Sequence, residues 1–349
     1  AMAIPRSKLV DPSLTRWYHC TSRCVRQAFL MQGDSQQPAG QRKQWIQQRL
    51  EFLDSIFCIS TGGFAIMDNH LHVLVRLDPE QAQQWSNDEV VNRWHRLFPP
   101  QGSDRKPLPK DKLEELAEQR AGDAEWVSGT RQRLSSLGWF MKCLKEPLAR
   151  MANKQDGCTG AFFEGRYKSI AVLDEEALLA VCAYIDLNPV AAGLAPSPEA
   201  SPFTSAKQRV EHVQQQGRSE DLKATLLGSV AGSRAAGELE ESLWLVPIED
   251  RRRLDSAREG MLETFTLGNY LLLVEHTGRM FREGKAQISS ELEGILERIG
   301  SSSRAWESQM RRLQGRKLIG NFIAGSRERL REAAHKLGVQ KLANLSAVP

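Results

Sequence analysis

Two groups of residues in this chain have types and spacing that could do chemistry: His70-Leu71-His72, and Tyr184 followed four residues later by Asn188. In a strand, residues two apart project from the same face, so His70 and His72 would point together while Leu71, Val73 and Val75 face the other way. Two converging imidazoles are what a divalent ion needs from a rigid scaffold, although such a pair alone is a weak signal. On a helix, residues four apart share a face, which aligns Tyr184 with Asn188. A phenol titrates near ~10 and is a sluggish nucleophile at neutral pH. It needs a metal to polarise its electrophile, or a base to take its proton. An amide oxygen one turn away could complete a three-ligand set with the histidines. The plainer alternative makes Tyr184 a half-buried core aromatic and Asn188-Pro189 a helix end.

The elements that must hold these residues can be read from the pattern. Arg16 to Val25 reads as a first strand, and Gln41 to Ser55 as a helix with Ile46, Leu50 and Leu53 at helical spacing. Two apolar runs, Ile56 to Ile66 and His70 to Leu77, flank Met67-Asp68-Asn69 and predict a β-hairpin. Pro79 to Phe98 predicts one helix, and Pro100 to Asp123 a polar surface insertion. Arg131 to Lys154 predicts a long helix interrupted or kinked at Pro147. Tyr167 to Val172 predicts a strand. Asp174-Glu175-Glu176 opens a helix running to Leu187 and stopping before Pro189.

That order matches an α+β, ferredoxin-like split βαβ arrangement, an antiparallel sheet with helices and one extra helix after the last strand. Residues 1–195 are the expected first domain, with a surface insertion at about 99–128. A Pro/Ser-rich linker is expected over 196–208, and a mostly helical domain over 209–349. Within the latter, Leu267 to Arg279 and the basic run from Arg304 to Lys341 predict helices.

Three segments carry a family resemblance: Tyr18 to Arg23 (YHCTSR), Met67 to Arg76 (MDNHLHVLVR) and Phe163 to Leu194, which contains Tyr-Ile-Asp-Leu-Asn-Pro. Together they resemble the single-tyrosine, His-hydrophobic-His (HUH) transposases, the branch of REP-associated tyrosine transposases above all, over roughly residues 15 to 195. The resemblance implies a metal-dependent enzyme that nicks and joins single-stranded DNA near hairpins through a 5′-phosphotyrosine. It puts the nucleophile on Tyr184, metal ligands on His70 and His72, and a third, amide ligand on Asn188, with Mg²⁺ or Mn²⁺ as the ion. Related transposases carry Gln at that third position, one methylene longer. The implied partner is single-stranded DNA with a REP-like hairpin, bound by a monomer or homodimer.

Arg23, Lys142, Arg166 and Lys168 lie in or beside these segments and could neutralise phosphates. The helical region over 209–349 is expected to be an accessory, DNA-binding domain that grips the hairpin stem through phosphate contacts, with a structural brace over the first domain as the alternative. Trp17, Trp139 and Phe163 are candidate stacking residues, and His19 is expected to be structural rather than a ligand. Two rivals stand beside this reading: a catalytically silent hairpin-DNA-binding protein of the same fold, and a metal-dependent hydrolase using water.

Composition agrees with a globular chain: of 349 residues, 41% are hydrophobic and 26% charged, with a net charge of +4. That mild basicity permits a polyanionic partner without demanding one. Lys/Arg groups recur at Arg131–Arg133, Arg166–Lys168, Arg251–Arg253 and Arg311–Lys317. Six cysteines form neither a disulfide framework nor a paired C-x-x-C site, and read as reduced packing residues. The leading Ala-Met reads as a tag remnant. No stretch is apolar and long enough to span a bilayer, so the expected location is cytoplasmic, in association with the nucleoid.

Overall fold

The computed structural model describes residues 10–32, 40–226, 239–252, 258–263, 265–283 and 323–336. The cluster Arg311–Lys317, Arg253, and the parts of the basic run over 304–322 and 337–341 lie outside them.

Four antiparallel strands form the sheet: β1 (Trp17–Arg23), β2 (Ile59–Ile66), β3 (His70–Leu77) and β4 (Lys168–Val172). A two-residue β5 (Ile323–Ala324) adds to β4 in parallel, giving the order β2-β3-β1-β4-β5. The first four strands follow the ferredoxin-like order, so the α+β expectation holds. The period-two alternation gives each strand two destinations. Tyr18 and Cys20 of β1, with Leu71, Val73 and Val75 of β3, pack into one core. Helices α1 (Gln41–Asp54) and α6 (Leu137–Gln155) cover that face, through Ile46, Leu50 and Leu53 and through Phe140, Leu144 and Leu148. Leu74, Ile170 and Val172 face the other way, against α7 (Glu175–Ala191).

Helix α7 is buried almost all round because it is covered twice. The sheet lies on one side and α10 (Leu267–Glu283) on the other, with Tyr270, Leu273 and Val274 in the same core. The Asp186 carboxylate on α7 accepts hydrogen bonds from the Ser205 hydroxyl (2.7 Å), the Ala206 amide (3.0 Å) and the Tyr270 hydroxyl. The end of the stretch 196–208, expected as a linker, lies against β2: Thr204 bridges Ala65, and Ile66 N–H donates to Phe203 O at 3.1 Å. Helix α8 (Ser205–Gln215) follows, and α9 (Ser219–Leu226) packs on α10. The β2 register shifts between Thr61 and Gly63. A Cβ on Gly62 would stand 2.7 Å from the Trp17 ring, and the Gly62 carbonyl instead accepts from buried Arg209 at 2.8 Å.

Four boundaries differ from the sequence reading. Residues 79–98 form two helices, α2 (Pro79–Gln84) and α3 (Asn87–Leu97), because Ser86 caps the second by accepting from Glu89 N–H at 3.1 Å. The polar stretch after Pro100 is mostly helix α4 (Lys110–Gly122), on the surface with no buried residue. The break in 131–154 falls at Ser135-Ser136, between α5 (Ala124–Leu134) and α6; Ser136 caps α6, which runs uninterrupted through Pro147. Pro147 has no N–H for the Cys143 carbonyl, and Arg49 Nε donates there instead at 3.2 Å. Finally, α7 continues past Pro189 to Ala191 and stops where Gly193 takes φ +72°. Asn188 is thus inside the helix, not on its fraying end. The last described helix, α11, covers Arg327–Lys336, and no described helix is long and apolar enough to cross a membrane.

Candidate active site

Strand register brings the site together on the α7 side of the sheet. Arg23 of β1 is paired with His70 and Thr21 with His72. The odd-numbered residues of β1 share that face, so His19 lies diagonally beside His72. Tyr184 and Asn188 come down on these rings from α7. The His70 and His72 ring centroids are 4.9 Å apart, His72 and Tyr184 5.4 Å, and both pairs meet edge-on. Asn188 Nδ2 stands 3.4 Å from His72 Nε2, and its side chain also hydrogen-bonds Tyr184 and His70.

Hydrogen bonds orient both rings. His70 Nδ1 meets Asn69 Oδ1 at 2.6 Å, so Nδ1 carries the proton and Nε2 is left as an imine nitrogen. Asn69 in turn donates to Gln27 O at 3.1 Å, tying the β2–β3 turn to the segment after β1. His72 Nδ1 meets His19 Nε2 at 2.9 Å, with its Nε2 turned toward Asn188.

The electrostatics keep these imidazoles neutral. Burial lowers His70 to about 4, Arg23 adds to the effect, and Asn188 and Asp68 oppose it. His72, only 4% exposed, is held well below the usual histidine range by burial, then by His19, His70 and Arg23. Burial alone lowers His19 to about 3. Tyr184 moves the other way: burial raises it, against the Asn188 hydrogen bond and Arg23. Nothing here ionises the phenol in advance, so its activation must come with the substrate.

As a metal site, the set offers two neutral imidazole nitrogens and the Asn188 carboxamide, which presents Nδ2 to His72 and would supply its oxygen on turning over. Among the described residues no cluster of three His, Cys, Asp or Glu side chains could hold an ion. Two nitrogens and one amide oxygen on one side nevertheless suit a divalent ion that keeps its remaining positions for water and a phosphate oxygen. The donor set fits.

The α+β fold is established by the sheet order. A solved structure to which this chain is similar is that of the REP-associated tyrosine transposase bound to a REP hairpin. It is 12% identical, covers 56% of this chain and 78% of that one, and has a TM-score of 0.31, at which the likeness carries no argument. No protein-family model and no curated protein matches the chain.

The phosphate-binding candidates divide by layer. Arg23 is across from His70, and Lys168, paired with Thr21, is exposed on the same face of the sheet. Arg166 is exposed two residues before β4. Lys142 is on α6, behind the sheet, over the Trp139 ring at 4.7 Å and 4.0 Å from Glu146. The stacking candidates are packed: Trp17 against Gly62, Trp139 against Trp94, and Phe163 beneath Lys145. The exposed aromatic near the site end is Phe29, at 63%, in the segment that hydrogen-bonds the 67–69 turn.

Two residues here exceed what their sequence positions suggested. His19 is a partner of His72 rather than inert packing; its odd-numbered parity with Arg23 on β1 was the available signal. Asn69 orients His70, for which its place in a turn gave no hint.

Proposed function

We propose that this chain is a metal-dependent single-stranded-DNA endonuclease and strand transferase, transposase-like, that cleaves beside REP-like hairpins through a 5′-phosphotyrosine on Tyr184. The observation that carries it is the meeting of Tyr184 and Asn188 with His72 and His70 of the same chain, at 5.4 Å between the Tyr184 and His72 rings. The three segments with HUH-like order support the DNA substrate.

His70 and His72 would hold Mg²⁺ or Mn²⁺ through Nε2, and Asn188 through its amide oxygen, which requires the carboxamide oxygen to face the ion. When bound, the ion draws charge from the non-bridging oxygens of the scissile phosphate. Arg23, opposite His70, adds a fixed positive charge for that phosphate. The helix backbone holds the Tyr184 hydroxyl for attack on phosphorus. The P–Oη bond forms as the P–O3′ bond breaks, and the phenol proton ends on the departing 3′-hydroxyl. One phosphodiester replaces another, so a second 3′-hydroxyl can reverse the step and join strands without a nucleotide cofactor. Lys168 and Arg166 would contact flanking phosphates, and Phe29 would stack on an unpaired base.

A nicking assay on a hairpin oligonucleotide carrying a single-stranded foot tests this. With Mn²⁺ the protein should cleave, and His70→Ala should lower the rate by at least about 100-fold while hairpin binding is preserved. Binding without cleavage by the wild-type protein would establish the silent hairpin-binding alternative.

A further inference from the structure

His19 is a buried polar residue whose presence packing does not explain. It is 1% exposed, stacks on His72 at 26° between ring planes, and leaves its own Nδ1 buried without a partner. A leucine or phenylalanine would fill that space with no orphaned nitrogen, and an unsatisfied buried polar atom calls for a reason. The reason is on its other nitrogen, 2.9 Å from His72 Nδ1.

We propose that His19 is a positioning residue that fixes His72 as the Nδ1–H tautomer, so that Nε2 faces Asn188 as an imine nitrogen whose lone pair can ligate a divalent cation. A neutral imidazole has one N–H and one lone pair, and ligation through Nε2 obliges Nδ1 to carry the proton. That N–H lies in a buried position and needs an acceptor, and His19 Nε2 is the polar atom in contact with it. Accepting there places the His19 proton on Nδ1, the atom left unpartnered. His19 is not itself a ligand, because its Nε2 is already engaged. The two ligand rings are therefore oriented in different ways: His70 by an asparagine in a turn, at 2.6 Å, and His72 by a second imidazole inside the sheet-helix core. Partners of this kind set both ring orientation and ligand strength.

The inference rests on the metal reading of the site, and its test separates the two. In metal-free wild-type protein at neutral pH, long-range ¹H–¹⁵N correlation should show His72 protonated on Nδ1. His19→Gln, whose amide oxygen can reach the place of Nε2 and accept, should keep that tautomer; His19→Phe should lose it. Mn²⁺ affinity followed by electron paramagnetic resonance should fall about 10- to 100-fold in His19→Phe and stay within about threefold of wild type in His19→Gln. A wild-type His72 protonated on Nε2, or a folded His19→Phe that binds Mn²⁺ as tightly as wild type, would overturn the proposal. If wild-type protein binds no Mn²⁺, the metal reading fails by itself, while the tautomer still decides the role of His19.

Discussion

Three imidazoles in contact would repel one another if protonated, and burial removes that possibility by keeping them neutral at physiological pH. Their folded-state pKa values lie below the unfolded value, so the unfolded chain binds more protons between the two. The stability they contribute is full above about pH 6.5 and is lost as pH falls through about 4 for His70 and about 3 for His19. Asp54, which burial raises to about 7, has the opposite sign across much of that range, its stability being lost as pH rises. The informative quantity is therefore a difference. Relative to wild type, His19→Phe should become steadily less unfavourable from pH 7 to pH 4, measured by urea unfolding at each pH. A gap that does not change with pH would mean that His19 does not titrate with folding. At this scale the sequence was legible where strand parity sufficed: His70 and His72 share a face as expected. For His19 parity gave the face but not the partner, which is 53 positions away in another strand.

At the scale of elements, the site depends on α7 being straight and held from behind. Treating Pro189 as a stop would have left Asn188 on a loose end, whereas the helix closes only at Gly193 and Asn188 keeps helical spacing to Tyr184. Proline is a weak terminator where the neighbouring fold tolerates one missing donor, as α6 shows at Pro147. The rear attachment is the Asp186 carboxylate, two residues from Tyr184, with its three donors from α8 and α10. Asp186→Ala leaves the Ala206 amide and the Tyr270 hydroxyl unpaired and the Ser205 hydroxyl with only its longer bond to Phe64 O, and should cost about 3 kcal/mol, and Tyr270→Phe about 1–3 kcal/mol, in denaturant unfolding. Losses below about 0.5 kcal/mol for both would mean that this buried network does not fasten the helix. No local pattern marks the network, because its members are brought together from positions as far as 84 apart.

At the scale of the whole molecule, the described residues after 195 complete the core above α7 rather than standing apart from it. Val246, Ile248, Phe265, Leu267, Tyr270 and Leu273 are buried with Leu178, Val181 and Ile185. Composition marked 196–208 as a linker because Pro and Ser favour irregular backbone, but burial of such a segment is decided by what it crosses, here β2. A chain cut after residue 195 would expose the outer side of α7 and leave Asp186 unpaired. It should bind a hydrophobic dye and lose cooperative unfolding, while the full chain should unfold in one calorimetric transition. Two resolved transitions would instead make the two parts independent.

The proposed chemistry joins Tyr184 covalently to DNA. After incubation with Mn²⁺ and a hairpin oligonucleotide labelled 3′ of the scissile phosphate, denaturing electrophoresis should reveal an SDS-resistant protein–DNA band. Peptide mass mapping should place the adduct on Tyr184, and Tyr184→Phe should remove the band with binding and thermal stability retained. An adduct of equal yield in Tyr184→Phe, or cleavage by the wild-type protein with no adduct at all, would contradict it.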